Sequence, residues 1–280
     1  MGKMGAKMGQ MGVAGELEED LRLARAVQSA LLPRQFPTFP PGVSPGCSAV
    51  RFHAFFRGAP AVGGDFFWVR RLSDCGFGVL MCDVMGRGVR AALLSGMLGA
   101  LVHSLEDWGA EPGTFLTHLN RALWKVLKGV GSPLFSTACY AVMDLQRGRL
   151  RLANAAHPSP VRVSRREGRG ISLRKGEGCG PLLGVFESAF YPTWEFPLEG
   201  GDVVWLFSDG LQKVENAAGE IFGEDRILEV LEGGPDRLCC RSGEAGWMLV
   251  DAMERFSAGH ALADDVCLVG VEVERLVDTF

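Results

Sequence analysis

At 280 residues, 47% of them hydrophobic and 22% charged, the chain has an ordinary globular composition and enough length for one large domain or two, which excludes a disordered protein. A formal net charge of −4 leaves none of the positive surplus that a phosphate-backbone binder uses, so nucleic acid is excluded as a partner. The opening MGKMGAKMGQMG lacks an apolar block of signal-peptide length and no later stretch reaches the length of a membrane span, so a cytoplasmic chain without membrane contact is expected.

Residues 1–14 read as a flexible Met/Gly-rich tail, and Ala6 stands where a myristoylation motif needs Ser or Thr. Residues 15–33 read as a helix in which acids lead, arginines follow and Pro33 ends the run, an order that suits the helix dipole. Leu17, Leu21, Ala24, Gln28 and Leu31 fall on one stripe. That stripe either pairs with another helix or packs on its own domain. Residues 34–46 hold four prolines and two glycines, which predicts a linker or an extended wrap before a domain over 47–280.

Within that domain strands are predicted over 47–56, 65–72 and 77–83, helices over 88–107 and 112–128, and strands over 135–144, 149–154 and 160–164. Strands over 192–196 and 202–208, helices over 224–232 and 242–257 and a strand over 265–274 complete the series. Hairpin-like strands with helices in separate blocks predict an α+β layered sandwich rather than a parallel sheet. The basic run Arg162, Arg165, Arg166, Arg169, Arg174 and Lys175 reads as a solvated loop. Cys239 and Cys240 are adjacent, and Cys82, Cys139 and Cys267 sit in apolar runs, so the eight cysteines read as reduced core residues; no C-x-x-C pair offers a zinc site. Trp68, Trp124, Trp194, Trp205 and Phe207 read as core.

The chemistry lies in the acids. VGGDFFWVRRLSDCGFGVLMCDVMGRG reads as a hairpin turning at Ser73–Gly76. Facing residues across that turn have numbers adding to about 148 or 149, so Asp65 and Asp83 become near-opposite neighbours with Cβ atoms roughly 4.5–5.5 Å apart. Two like charges at that spacing raise each other's pKa unless a cation lies between them, and oxygen-only ligands select Mg²⁺ or Mn²⁺. VVWLFSDG carries a strand into Asp209, and ADDVCLVGVEV carries Asp264 and Asp265 into another. Four acidic positions at the ends of buried strands can share one rim, with one of the pair Asp264/Asp265 as the fourth member. Two hard cations there supply a hydroxide nucleophile and offset charge on a transferring phosphoryl group, so a Ser nucleophile elbow, a P-loop and H-E-x-x-H, none of them present, are not required.

In their order, LARAVQSALLP, VGGDFF, CDVMGRG, FSTACYAVMD, NAAHPSP, GPLLGV, LFSDGLQKVENAAGEIFG and ADDVCLVGV resemble the metal-dependent protein phosphatases (PPM, type 2C), in their SpoIIE/RsbU-type bacterial branch, over residues 16–274. The resemblance implies a four-layer α-β-β-α sandwich of two mainly antiparallel sheets with two Mn²⁺ or Mg²⁺ ions at its mouth. It implies Asp65, Asp83 and the Val84 carbonyl as ligands of the bridging and second-metal positions, Asp209 and Asp264 as ligands of the other metal, and Asp265 beside them. Asp65 and Asp83 would then be catalytic through a hydroxide bridging the metals. It implies a serine/threonine phosphatase acting on a phosphorylated regulatory protein of the anti-sigma-factor antagonist type, with helix 15–33 as a dimerising element or the target of a sensor or activator. On that reading the chain is a lone output domain controlled in trans, or one whose sensor is missing.

Met85 and Arg87 replace a Ser and a His common in the family, Ala156 replaces a Gly and Cys267 a Thr. Arg87 is either a phosphate contact or a surface arginine before a helix. Asn154 and His157 read as structural rather than as an acid/base pair. The competing functions are a non-catalytic partner-binding module on the same fold and a metal phosphoesterase for small molecules.

Overall fold

The structure, a computed structural model, describes residues 2–59, 63–131, 134–173, 179–233 and 242–277. Helix α1 runs over Gly2–Leu31, followed by strands β1 (Val50–Arg57), β2 (Phe66–Ser73) and β3 (Gly76–Val84). Helices α2 (Val89–Ser104) and α3 (Pro112–Leu127) come next, then β4 (Ser136–Asp144), β5 (Arg149–Ala155), β6 (Val161–Ser164), β7 (Arg169–Ser172), β8 (Trp194–Pro197) and β9 (Val203–Phe207). The short α4 (Asp209–Gln212), α5 (Gly223–Glu232), α6 (Ser242–Ser257) and β10 (Val266–Val273) complete the chain. One sheet has the order β1-β10-β9-β6-β7 and the other β2-β3-β4-β5-β8, and every named strand pairing is antiparallel. The two sheets and their flanking helices make the expected α+β sandwich.

Strand parity builds the layers. On β3 the even residues Leu80, Cys82 and Val84 pack with α2 and α3, which bury Leu94, Leu98, Phe115 and Leu119. The odd residues Phe77, Val79 and Met81 enter the core between the sheets, where Cys267, Val269 and Val271 of β10 meet them. On the far side Trp205, Phe207, Val266 and Leu268 pack under Ile227, Leu249 and Met253 of α5 and α6.

The structure changes some of these expectations and decides between alternatives in others. Helix α1 begins at Gly2, within the stretch read as a flexible tail. Residues 34–46 take the wrap form: Phe39 is fully buried in the inter-sheet core and Phe36 stacks on Phe52 at 5.1 Å between ring centroids. The basic run contributes to two strands, because Arg162 and Arg169 lie on the β6–β7 hairpin; Arg162 donates to the Pro197 carbonyl at 2.6 Å and faces Asp202 at 3.6 Å. Arg174 and Lys175 lie outside the described residues, as do Cys239 and Cys240. Cys82, Cys139 and Cys267 are buried free thiols as expected, but Cys47 and Cys179 are exposed and Cys75 is half-buried. Trp68, Trp205 and Phe207 are core residues, whereas Trp124 and Trp194 are only half-buried.

On α1, Leu21 and Ala24 are half-buried and Gln28 is buried, while Leu23 and Val27 are exposed. The stripe therefore packs on its own domain: Leu31 reaches Gly99 on α2, and Gln28 donates from Nε2 to the Asp65 carbonyl at 3.3 Å. Leu17's side chain lies outside the described residues. Among the described residues no helix is long and apolar enough to cross a membrane.

Candidate metal centre

The hairpin register follows the sum read from its turn. Phe66 pairs with Cys82, Phe67 with Met81 and Trp68 with Leu80, with a bulge only near the turn, between Arg71 and Ser73. Continued one step, this register sets Asp65 opposite Asp83. Both are odd-numbered residues, so parity turns both toward the space between the sheets, just past the last apolar layer. Asp265 shares that parity on the other sheet, one step before the buried Cys267.

Asp265 is 1% exposed, and its carboxylate is committed to backbone amides: Oδ1 accepts from Ala59 at 2.8 Å and Oδ2 from Asp65 at 3.4 Å. A Cβ on Gly63 would stand 1.5 Å from Oδ2, so glycine at 63 is what lets the loop before Asp65 close around this carboxylate. Asp264 has the opposite task. Its side chain is 25% exposed and faces two cations, Arg87 and Lys213, each at 3.7 Å. The structure thus divides the adjacent pair into a ligand candidate, Asp264, and a carboxylate that shapes the loop, Asp265.

Asp209 opens α4 directly after β9, where the Ser208 hydroxyl accepts from the Cys267 amide at 3.0 Å and ties β9 to β10. Asp209 Oδ2 meets the Lys213 ammonium at 2.6 Å, and its Oδ1 is buried without a hydrogen-bond partner. Asp65 Oδ2 is a second buried carboxylate oxygen without a partner. The Asp83 carbonyl accepts from Ser136 Oγ at 2.8 Å, and the Val84 carbonyl lies beside Gly64, 2.5 Å from where a Cβ on that glycine would stand.

The electrostatics show how closely these groups converge. Burial, then the charge of Asp83, holds the Asp65 carboxyl well above the usual range, with further contributions from Asp265 and Asp264. Burial, then Asp209 and Asp264, pushes the Asp83 carboxyl up to about 7. Burial also raises Asp265, against its amide hydrogen bonds. Among the described residues no three His, Cys, Asp or Glu side chains stand close enough to enclose an ion unmoved. Yet the set suits a hard divalent cation: every donor is an oxygen, two buried carboxylate oxygens lack partners, and mutual repulsion is what a cation relieves.

Lys213 escaped the sequence reading; its only signal was a position four residues after Asp209, one helical turn on. His157 and Asn154 are structural. The Asn154 amide bonds the backbone of residue 157 in both directions, at 2.8 and 2.9 Å, His157 Nδ1 lies 2.7 Å from Thr137 Oγ1, and burial pushes the imidazole pKa down to about 3. Between them Ala156 is held at φ 54°, the left-handed region, which accounts for the glycine that the resemblance expects there.

The family model for Stage II sporulation protein E (SpoIIE) matches residues 73–274. The chain belongs to the SpoIIE family. It is a phosphatase of the PPM, SpoIIE/RsbU type. Phosphoserine phosphatase RsbU of Bacillus subtilis is 25% identical over 258 residues, covering 92% of this chain and 71% of RsbU. Among solved structures, the SiaA-PP2C domain of Pseudomonas aeruginosa superposes with a TM-score of 0.74 at 22% identity, covering 95% of this chain and 99% of that domain. The catalytic domain of the serine threonine protein phosphatase PstP, solved in complex with two manganese ions, superposes with a TM-score of 0.55 at 16% identity, covering 80% of this chain and 97% of that one. The family match begins eight residues after Asp65, so the first acid of the set rests on the hairpin geometry.

Proposed function

We propose that this phosphatase hydrolyses phosphoserine or phosphothreonine monoesters on a cytoplasmic regulatory protein of the anti-sigma-factor antagonist type. The observation that carries the reading is the pair of buried, unpartnered carboxylate oxygens on Asp65 and Asp209, within a group of acids that repel one another. Asp65, Asp83 and the Val84 carbonyl would hold one of two Mn²⁺ or Mg²⁺ ions, and Asp209 and Asp264 would complete the ligands of the other. Such ions, when bound, provide a nucleophile at neutral pH and stabilise charge on the transferring phosphoryl group. Asp265 stays outside the ligand set and holds the loop that presents Asp65. Arg87, half exposed beside Asp264, would meet a phosphate oxygen. The deciding assay is Mn²⁺-dependent hydrolysis of p-nitrophenyl phosphate and of a phosphoserine peptide. A folded sample that turns over neither with Mn²⁺ or Mg²⁺ overturns the reading in favour of a partner-binding module.

Metal binding should depend on pH in a definite direction. Asp65, Asp83 and Asp265 have carboxyls raised above their unfolded values, so the stability each contributes is full below about pH 4 and is lost as pH rises through its folded value, which for Asp83 is about 7. A cation binding the ionised forms reverses that loss. The expected result is a Mn²⁺-induced rise in Tm that is larger at pH 8 than at pH 5.5; thermal unfolding at both values checks it, and a pH-independent rise contradicts it.

Lys213 competes for the same oxygens as the ion. Lys213→Ala should tighten Mn²⁺ binding by roughly two- to tenfold, read by calorimetric titration. Control through α1 has a direct route in the Gln28 hydrogen bond to the backbone of Asp65. Gln28→Ala should lower kcat at saturating Mn²⁺ while costing about 1 kcal/mol in stability; unchanged kcat would remove that route.

A further inference from the structure

Two cations meet at the acids, one following a strand of each sheet. Arg87 lies between β3 and α2, with Gly86 at φ 94° and Gly88 at φ 77° on either side, so the turn that presents it is shaped by two residues in the left-handed region. Lys213 caps α4 after β9, and its amide donates to the Asp209 carbonyl at 3.0 Å. Both side chains converge on one atom, Asp264 Oδ2, each at 3.7 Å, so their nitrogens lie within about twice that distance of each other. At 3.7 Å neither makes a hydrogen bond to that oxygen. Lys213 is held instead by Asp209 Oδ2 at 2.6 Å, and the Arg87 side chain makes no hydrogen bond among the described residues. An ammonium has three donors and a guanidinium five, and with the two side chains 54% and 50% exposed most of these donors stay open to solvent.

The carboxylates that face these cations, Asp209 and Asp264, are the same two assigned to one metal position. When they ligate an ion their charge is taken up, and Lys213 and Arg87 lose their carboxylate partners. From this sharing we infer that Lys213 is a substrate-binding residue which, together with Arg87, clamps the phosphate dianion once Asp209 and Asp264 hold metal. The inference rests on the phosphatase reading and adds to it a residue and an order of binding. The span fits: phosphate oxygens are about 2.5 Å apart and charge-assisted hydrogen bonds about 2.8 Å long, so one phosphate bridges donors up to about 8 Å apart. Without metal the two cations are matched by Asp209 and Asp264, and the neighbouring Asp65 and Asp83 repel an anion. Lys213 thus acts in two opposed equilibria, against the metal and in favour of the phosphate.

The test titrates the full chain with inorganic phosphate by calorimetry at pH 8, once loaded with Mn²⁺ and once treated with chelator, and follows p-nitrophenyl phosphate hydrolysis in parallel. The loaded wild type should bind phosphate at least about tenfold more tightly than the chelator-treated protein. Lys213→Ala should weaken phosphate binding to the loaded protein by roughly tenfold and raise KM for p-nitrophenyl phosphate by a similar factor, while tightening Mn²⁺. A lysine that only supports α4 would weaken both ligands together. Lys213→Arg should keep phosphate affinity within about threefold of wild type, and Arg87→Ala should weaken it as Lys213→Ala does. Phosphate affinity unmoved by either alanine variant, weaker binding of both ligands in Lys213→Ala, or equal phosphate affinity with and without Mn²⁺ overturns the inference, and continued turnover then leaves the phosphatase reading intact. A wild type that shows the opposed shifts but hydrolyses no phosphate ester overturns the phosphatase reading and leaves the clamp in place.

Discussion

Asp83→Asn should lower Mn²⁺-dependent hydrolysis of p-nitrophenyl phosphate by at least about 10³-fold while making the metal-free protein more stable at pH 8. The second effect has the sign opposite to that of an ordinary buried-site substitution. Burial and the charges of Asp209 and Asp264 push the Asp83 carboxyl up to about 7, so at pH 8 the wild type holds an unfavourable ionised group that a neutral amide does not. At pH 5 Asp83 is largely protonated in the wild type and the difference in Tm should shrink. Thermal unfolding with a chelator present, at both pH values, checks the stability and a steady-state assay checks the rate. A variant that is inactive and less stable at pH 8 would mean that Asp83 holds the fold rather than the metal.

Gly210→Ala should be the most damaging single methyl group in the site. Gly210 does not have a positive φ; its requirement is space, because a Cβ there would stand 1.8 Å from the Asp265 carbonyl oxygen and 3.4 Å from the Asp264 Cβ. The backbone that leads into β10 cannot yield as a flexible side chain would, so the turn bearing Asp209 must move away from the turn bearing Asp264. We expect activity to fall by at least about 100-fold, with a stability loss of roughly 3 kcal/mol. Gly219→Ala provides the control: its φ of 76° is strained for alanine, but nothing lies within 4 Å. It should cost about 1 kcal/mol and leave kcat/KM unchanged. Equal losses in the two variants would refute the close-approach account.

Sequence alone resolved the hairpin well because its turn chemistry fixed a register and the register fixed the faces. That is why the sequence pairs Asp65 with Asp83, and why β2 and β3 fall within about a residue of expectation. Asp264 and Asp265 could not be separated in the same way. Adjacent residues at a strand end point to opposite faces, and which one turns inward depends on how β10 pairs with β9, a long-range contact. The use of Asp265 for the amides of Ala59 and Asp65 depends on a loop some 200 residues earlier in the chain. Strand β7 was hidden by its charge: in RREGRGIS the arginines dominate the pattern, although the hairpin turns at Gly168 with φ 66°. The stripe on α1 was legible as a stripe, but its partner was not, because Gln28 gains its meaning only from the Asp65 carbonyl it reaches.

The central claim is that the separated acids act together as a dinuclear cation site, and metal stoichiometry tests it most directly. Calorimetric titration of the chelator-treated chain with Mn²⁺ at pH 8 should give two ions per wild-type chain and fewer in Asp209→Asn, with the release of heat lost together with phosphatase activity. Absence of Mn²⁺ and Mg²⁺ binding by folded wild-type protein, or unchanged stoichiometry in Asp83→Asn and Asp209→Asn alike, would contradict it.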